Sequence, residues 1–287
     1  MKKILLIFAF AALLPGCAGF KVLNSAYEGN MEGLKSAIEE EGADVNTDNA
    51  DNMTPLMLAS SRGDIEMIKY LLDKKASITI KDKRNYTAFL HACINTQTGA
   101  AMLLLDNGAG INDSSKNSMT ALLTACKNDD EKTAIMLIER GADISITTDD
   151  GSSALFFAVD ANNATITSRL ILAGAEINTK TAKGFTPLMA AARTGNVIIG
   201  SMLIEKGADV NAGSKDDYTP LMISSWEGRP EFVKLLLKSG ADMGKKCFFG
   251  TAFDISRLMF KFDVIRIFEA EEEKNTRKDP PAPAAAP

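Results

Sequence analysis

A 33-residue period runs through most of this chain and constrains its fold more than any other feature. A hydroxyl residue opens each period, at Thr54, Thr87, Thr120, Ser153, Thr186 and Thr219, and a seventh opening, at Thr251, comes one residue early. A glycine keeps the same period in the second half of each unit, except that Lys75 fills one of its positions. Such self-similarity is typical of a solenoid, in which equivalent supersecondary units stack on one another.

Each unit carries local signals for two helices. Pairs such as Thr54-Pro55 place an N-cap hydroxyl before a proline in the first turn of a helix. Gly63, Gly195 and Gly228 allow the left-handed backbone that ends the first helix and opens the second. Three middle units have other residues at that position, namely Thr96, Asp129 and Asn162. The β-branched threonine is expected to tolerate this conformation poorly.

The segments TPLMLASSRGDIEMIKYLL, TPLMAAARTGN and GADVN, at this period, resemble ankyrin repeats over about Phe20 to Ala270. The resemblance implies an all-α ankyrin-repeat solenoid of stacked helix-turn-helix units with β-turn fingers. Six full repeats are expected between Asn46 and Met243, between degenerate capping units. The domains predicted are a signal peptide at 1–16, a lipidated tether at 17–20, the ankyrin repeats with their capping units at 21–270, and a disordered, Pro/Ala-rich tail at 271–287.

The chain departs from the family at the histidine of its TPLH motif. Apolar residues replace it in all six repeats, at Met57, Leu90, Leu123, Phe156, Met189 and Met222. A polar network is therefore expected to become apolar packing, in which thioethers fill gaps without a hydrogen-bond partner. The last unit, at 247–268, holds six phenylalanines beside three basic residues, and we expect it to cap the stack with a polar outer face.

The N-terminus has the pattern of a secretory signal. Lys2 and Lys3 precede an apolar run from Ile4 to Leu14, which is too short to cross a bilayer comfortably. The next residues, Leu14-Pro15-Gly16-Cys17, resemble the lipobox of bacterial lipoproteins, which implies cleavage before Cys17 and its acylation. Ala18, rather than the aspartate that commonly retains lipoproteins in the inner membrane, favours the periplasmic face of the outer membrane. An ordinary signal peptide or an uncleaved anchor is the alternative.

Charge and motif content argue against several classes of function. The formal net charge is −5, and −7 once the two lysines of residues 1–16 are removed, so nucleic acid is not an expected partner. One histidine, His91, and scattered acids make no Ser-His-Asp constellation, and no phosphate loop or calcium loop is found. We therefore predict a chain, expected to be a monomer, that is not an enzyme and takes neither cofactor nor metal. His91 is either a groove contact or a packed helix residue.

Three cysteines remain besides Cys17. Cys93 and Cys126 lie 33 residues apart in equivalent positions of neighbouring repeats, where helices are about 10 Å apart. That separation is too large for a disulfide, so both are expected to be buried thiols. Cys247 falls in the last finger, where covalent pairing between chains is a weaker alternative.

Protein partners of ankyrin repeats usually bind the fingers and the concave face of the first helices. Transferring those positions gives the following candidate partner-binding residues: Tyr86, Met119, Phe185, Arg193, Tyr218, Trp226 and Glu227. Four of them, Phe185, Arg193, Tyr218 and Trp226, sit on two adjacent repeats and are of types enriched in interfaces. The alternative is that the rings merely cover neighbouring fingers and stiffen the stack.

The sequence thus predicts a membrane-tethered scaffold that binds a periplasmic or envelope protein through its concave face. Both an adaptor for an envelope enzyme and an immunity protein against a toxin fit this prediction. A hypothesis of a different class is a passive structural or adhesive envelope lipoprotein without a single dedicated partner. The passive element would contact a diffuse set of proteins, whereas the scaffold would hold one.

Overall fold

The computed structural model describes residues 18–278. Within that range the chain forms sixteen α-helices and no β-strand, which confirms the all-α solenoid class. The helices come in pairs, each a first helix and a second helix joined by a short turn. The chain divides after Asp143 into two compact units, and each unit holds four pairs.

The first unit contains α1 (Ala18–Glu28), α2 (Met31–Glu39), α3 (Pro55–Arg62), α4 (Ile65–Asp73), α5 (Ala88–Ile94), α6 (Thr98–Asp106), α7 (Ala121–Lys127) and α8 (Glu131–Glu139). The first helices α1, α3, α5 and α7 pack side by side in that order. Their leucines and the fully buried Phe89 form the core between the layers of first and second helices. Between the second helices α6 and α8, the Thr98 and Thr133 hydroxyls share a buried hydrogen bond of 2.8 Å.

The second unit contains α9 (Ala154–Asp160), α10 (Ala164–Leu172), α11 (Pro187–Thr194), α12 (Val197–Glu205), α13 (Pro220–Glu227), α14 (Pro230–Lys238), α15 (Ala252–Leu258) and α16 (Phe262–Lys278). First helices α9, α11, α13 and α15 pack in series, and so do the second helices α10, α12, α14 and α16. Phe232 and Phe268 are the largest fully buried side chains of this unit.

The recurring hydroxyl residues are the N-caps of the first helices, as predicted. Each accepts the backbone N–H three residues later, for example Thr120 from Leu123 at 3.3 Å and Ser153 from Phe156 at 3.1 Å. Because the hydroxyls are almost fully buried in six of the seven units, each bond satisfies a helix-end N–H that water could not reach. The 33-residue period of the sequence therefore corresponds to the spacing between the N-termini of successive first helices.

The turns between paired helices adopt the left-handed conformation predicted for them. Gly63, Gly195 and Gly228 have φ of 73°, 79° and 67°, and the first helices that they end have eight residues. Thr96, Asp129 and Asn162 have φ of 56°, 58° and 63°, and the first helices before them, which lack the initial proline, have seven residues. A β-branched residue in this region is strained.

Replacing Thr96 with glycine is therefore expected to raise the free energy of unfolding by about 1 kcal/mol, because an exposed residue is relieved of left-handed strain. Urea denaturation followed by circular dichroism measures the change. The matched variant Asn162→Gly should gain clearly less, since asparagine tolerates this conformation. Equal gains at the two positions would contradict the strain argument.

Backbone and amide hydrogen bonds join successive fingers and loops. Neighbouring fingers are linked by single backbone bonds, such as Lys83 N–H to the Asp51 carbonyl at 3.1 Å and Lys215 N–H to the Lys183 carbonyl at 2.9 Å. Gly184 allows this approach, since a Cβ there would lie 2.9 Å from the Lys215 nitrogen. The repeats are thus held by directional bonds as well as by packing.

An asparagine at the end of the GADVN-type loop reaches the following repeat. The Asn46, Asn112, Asn178 and Asn211 side chains accept N–H groups 31 residues ahead, at 2.7 to 2.9 Å. Asn178 and Asn211 also donate to the carbonyls of Gly207 and Gly240. Thr79 and Ser145 occupy the equivalent positions of the two remaining loops and have no amide to offer.

Several expectations about the ends and caps are corrected by the structure. Helix α1 begins at Ala18, so residues 18–20 of the expected tether are helical; Cys17 and the signal segment lie outside the described residues. Helix α16 continues to Lys278, beyond the expected boundary at Ala270; residues 279–287 of the expected tail lie outside the described residues. Both ends of the repeat region are therefore more helical than their composition suggested.

Two methionines also behave differently from the expectation. The buried Met57 and Met189 sulfurs accept the backbone N–H groups of Thr54 and Thr186, both at 3.5 Å. Each thioether thereby completes a reciprocal cap with the threonine hydroxyl, because sulfur is a weak acceptor. The methionines do more than fill space.

The last unit does not present the polar outer face expected of a cap. Of its six phenylalanines, Phe268 is fully buried and Phe253 is half-buried, whereas Phe248, Phe249, Phe260 and Phe262 are exposed. The Phe253 and Phe268 rings of α15 and α16 pack together, with centroids 5.5 Å apart. Of the four exposed rings, Phe249 packs against Trp226.

Candidate interaction surface

The first unit contains a groove of about 790 Å³ on the side of its fingers and first helices. We call it the N-terminal groove. Three segments supply its walls: the end of α1, then α3 with the finger before it, then α5 with its own finger. The lining residues are Tyr27, Glu28, Asn49, Asp51, Met53, Leu58, Ser61, Arg62, Asp82, Lys83, Arg84, Tyr86, His91, Ile94 and Asn95.

The finger before α5 is shaped by one buried carboxylate. Asp82 Oδ1 accepts the backbone N–H groups of Arg84 and Tyr86, both at 2.8 Å. The other oxygen, Oδ2, lies 3.1 Å from His91 Nε2, in the first turn and a half of α5. One side chain thereby holds the finger in a tight turn and ties it to the helix behind it. The groove wall is consequently rigid at this point.

His91 is a packed residue that also lines the N-terminal groove. It is 5% exposed, and its ring meets the Tyr86 ring edge-on, with centroids 5.7 Å apart. Burial lowers the pKa of His91, which the neighbouring Asp82 carboxylate opposes. The neutral imidazole, with its proton on Nε2, can donate to Asp82. Both alternatives raised by the sequence thus hold in part, since the side chain is packed and borders the groove.

The pKa of His91 predicts how stability responds to acid. Because the folded-state pKa lies below the unfolded value of about 6.5, the unfolded chain binds the proton more readily, and stability falls as pH drops below that value. Thermal melts at about pH 7.5 and pH 5.5 should show a larger decrease for the wild type than for His91→Gln, whose amide can still donate to Asp82. Parallel decreases in the two proteins would show that another group is responsible.

The rim of the N-terminal groove carries charges of both signs. Arg84 lies 5.0 Å from the Tyr86 ring centroid and 3.8 Å from Asp82 Oδ2. Arg62 donates through Nη1 to the Tyr27 carbonyl at 3.0 Å, so its guanidinium is held across α1 and α3. Glu28 and Asp51 balance these cations. An apolar floor of Met53, Leu58 and Ile94 inside a mixed charged rim suits a protein side chain better than an anion.

The second unit places the other predicted contact residues as follows. Phe185, Tyr218, Trp226 and Glu227 are half-buried, and Arg193 is exposed and paired with the Asp160 carboxylate. Trp226 packs edge-on against Phe249 of the last finger, with centroids 5.5 Å apart. In the part of the chain that the structure describes, no ring contact joins Phe185 to Tyr218, or either of them to Trp226. The structure therefore shows no direct ring pairing within this group, and its grouping as one binding surface stays a prediction.

Tyr86 and Met119 belong to the first unit. Tyr86 lines the N-terminal groove, and the half-buried Met119 accepts the Ser115 N–H through its carbonyl at 3.0 Å. Sequence reasoning missed Asp82 and Arg84. A signal was present, because the one aspartate at this finger position is followed nine residues later by the one histidine.

Cys93 and Cys126 are buried free thiols, as predicted. Burial raises the pKa of both, that of Cys126 to about 12, so they stay protonated and unreactive near neutral pH. Cys247 is half-buried in the last finger. Among residues 18–278, no group of three or more potential ligand side chains is placed to hold a metal ion.

The sequence profile described as "Ankyrin repeats (3 copies)" matches residues 22–114, 70–148, 101–181 and 155–247. Serine/threonine-protein kinase 12 of Arabidopsis thaliana is 35% identical over 74 residues, which is 26% of this chain and 16% of that protein. Alpha-latrocrustotoxin-Lt1a of Latrodectus tredecimguttatus is 38% identical over 61 residues, which is 21% of this chain and 4% of that protein. The similarity to these relatives is therefore local.

Proposed function

Because this chain belongs to the ankyrin-repeat family, whose repeats are non-catalytic protein–protein interaction modules, we propose that it is a membrane-tethered scaffold for an envelope protein. The N-terminal groove carries the proposal. It combines an apolar floor, two tyrosines and two arginines, which are the residue types that dominate the centres of protein interfaces. The Asp82 bonds hold the finger before α5 in place, which reduces the entropy lost on binding there.

The lipid tether is proposed from the sequence alone. Lys2 and Lys3, the apolar run to Leu14 and the lipobox-like segment ending at Cys17 support cleavage and acylation at that cysteine. No helix in residues 18–278 has the length and apolar character to cross a bilayer. Two or more acyl chains would hold the protein stably at a membrane. Ala18 supports the periplasmic face of the outer membrane as the location.

Such a tether would be short. Residues 18–20, which follow Cys17, are already helical within α1, so the first repeat would lie close to the lipid surface. The partner of the N-terminal groove would then be a protein that itself lies at or near the membrane. Both an envelope enzyme held by an adaptor and a toxin held by an immunity protein meet that condition.

Capture of the partner tests the groove. The double variant Arg62→Ala and Tyr86→Ala should lose the one dominant stoichiometric partner that crosslinking and mass spectrometry find for the native protein. The loss is expected to be at least about 30-fold in affinity, since truncating two central contacts of an interface typically costs that much. Melting curves must show that the variant remains folded.

Lys132→Ala is the matched control, because this exposed residue of α8 does not line the groove. It should capture the partner as well as the wild type does. A diffuse set of crosslinked proteins, unchanged by the double variant, would contradict the scaffold and favour a passive envelope element.

Cys17→Ser tests the anchor separately. The native protein should incorporate labelled palmitate and sediment with membranes, and the variant should do neither, because the acylated thiol is gone. Labelling that persists in the variant would contradict acylation at Cys17. Ala18→Asp, which keeps the cysteine, should retain the label.

A further inference from the structure

Exposed apolar side chains are concentrated in the last repeat unit. Among the described residues, eight large apolar side chains are exposed, and five of them lie within 248–262: Phe248, Phe249, Leu258, Phe260 and Phe262. Monomeric proteins scatter such residues singly, whereas clusters mark binding surfaces. We call these five residues the terminal apolar cluster. They lie on either side of and at the end of α15, a helix of seven residues.

The last finger carries the most exposed aromatic ring. The Cys247 N–H donates to the Gly250 carbonyl at 3.0 Å and the reverse bond has the same length, which closes a tight hairpin with Phe248 and Phe249 at its tip. Phe249 is supported from behind by Trp226, and Phe248 meets Phe249 edge-on at 5.1 Å. Phe248 itself remains 93% exposed. The hairpin therefore projects a ring that its own protein scarcely covers.

Phe260 has a left-handed backbone conformation, which is unusual for a bulky residue. It has φ of 53° and occupies the turn position where three other units have Gly63, Gly195 and Gly228. A bulky residue with this backbone conformation is strained, yet the Phe260 ring is 74% exposed and gains little burial in return. Strain without compensating packing points to a role outside the fold of the unit.

The charges around the terminal apolar cluster are opposite in sign to those of the whole chain. Residues 245–266 hold five basic and two acidic side chains, although the chain has a net charge of −5. Lys246, Arg257 and Arg266 are exposed in the same segment of the chain. Aromatic rings interleaved with lysine and arginine are the combination that binds the interface of an anionic membrane.

We propose that the last repeat unit binds an anionic lipid surface, with Phe248 and Phe260 entering the interface and the neighbouring basic residues contacting lipid phosphates. A membrane accepts a projecting ring without a complementary pocket, whereas a protein partner requires one. This contact uses other residues than the N-terminal groove and does not depend on acylation of Cys17. It gives the repeat domain a membrane contact at its C-terminal end.

Trp226 provides a local reporter, because it is the one tryptophan of the chain and contacts Phe249. The full chain is titrated with vesicles of phosphatidylcholine alone or with about one third phosphatidylglycerol. Anionic vesicles should shift Trp226 emission to the blue, and brominated acyl chains should quench it. The response should weaken with added salt, because screening reduces the attraction between lysine and lipid phosphate.

The variant Phe248→Ser with Phe260→Gly should bind anionic vesicles about tenfold more weakly, because two rings no longer enter the interface. The glycine also relieves the strain at position 260, so the melting temperature should rise while binding falls. If the Phe260 ring served only to stabilise the fold, its removal would not raise the melting temperature while weakening vesicle binding. Lys246→Glu should weaken binding to anionic vesicles and leave binding to neutral vesicles unchanged.

Leu172→Ser is the matched control, since Leu172 is 75% exposed at the end of α10, outside the cluster. It should bind as the wild type does. The proposal is overturned if Trp226 does not respond to anionic vesicles, or if the double variant and the wild type bind equally. Dimers that Phe248→Ser dissociates, without any lipid response, would instead assign the cluster to a second copy of this chain.

Discussion

The hydroxyl N-cap at the start of the first helices α3 to α15, which is buried in six of these seven helices, is the interaction on which the rest of the structure depends. A helix pair cannot cover its own apolar face, so each pair must meet its neighbours in a fixed register. The N-cap bond sets that register because it determines which residue begins the helix, and hence which side chains face the core. Thr87 and Thr120, for instance, begin α5 and α7 at equivalent positions, so Cys93 and Cys126 fall at equivalent buried sites. Each finger ends at the N-cap residue, so the positions of the fingers are set by the same register.

Much of this fold could be predicted from the sequence, because its determinants are local and repeated. The period located Thr54 and Thr186 as caps, and it located Gly63 and even Thr96 as left-handed turns. The ends of the repeat region were less predictable. Residues 18–20 and 271–278 are helical, although a targeting segment lies next to the first stretch and the second is rich in charged residues, so composition alone did not indicate these helices.

The sequence predicted which positions line the candidate site but not how their side chains pair, and the reason is physical. Periodicity indicates which positions face the fingers, and Tyr86 does line the N-terminal groove. It does not indicate which side chains will pair across a turn, because such pairing depends on residues that occur once. The bond between Asp82 and His91 is of that kind, and so is the packing of Trp226 on Phe249. In the described residues no ring contact joins Phe185, Tyr218 and Trp226, and Trp226 instead packs against Phe249 of the neighbouring finger.

The asparagine bonds between loops have a consequence for how the array unfolds. In a linear array of repeats, cooperativity depends on the coupling between nearest neighbours rather than on any global contact. Asn178 and Asn211 each contribute an acceptor and a donor to that coupling, whereas Thr79 has only a short hydroxyl. The coupling is therefore uneven along the chain, and the junction that follows Thr79 is where a denaturing array would separate into independently melting blocks.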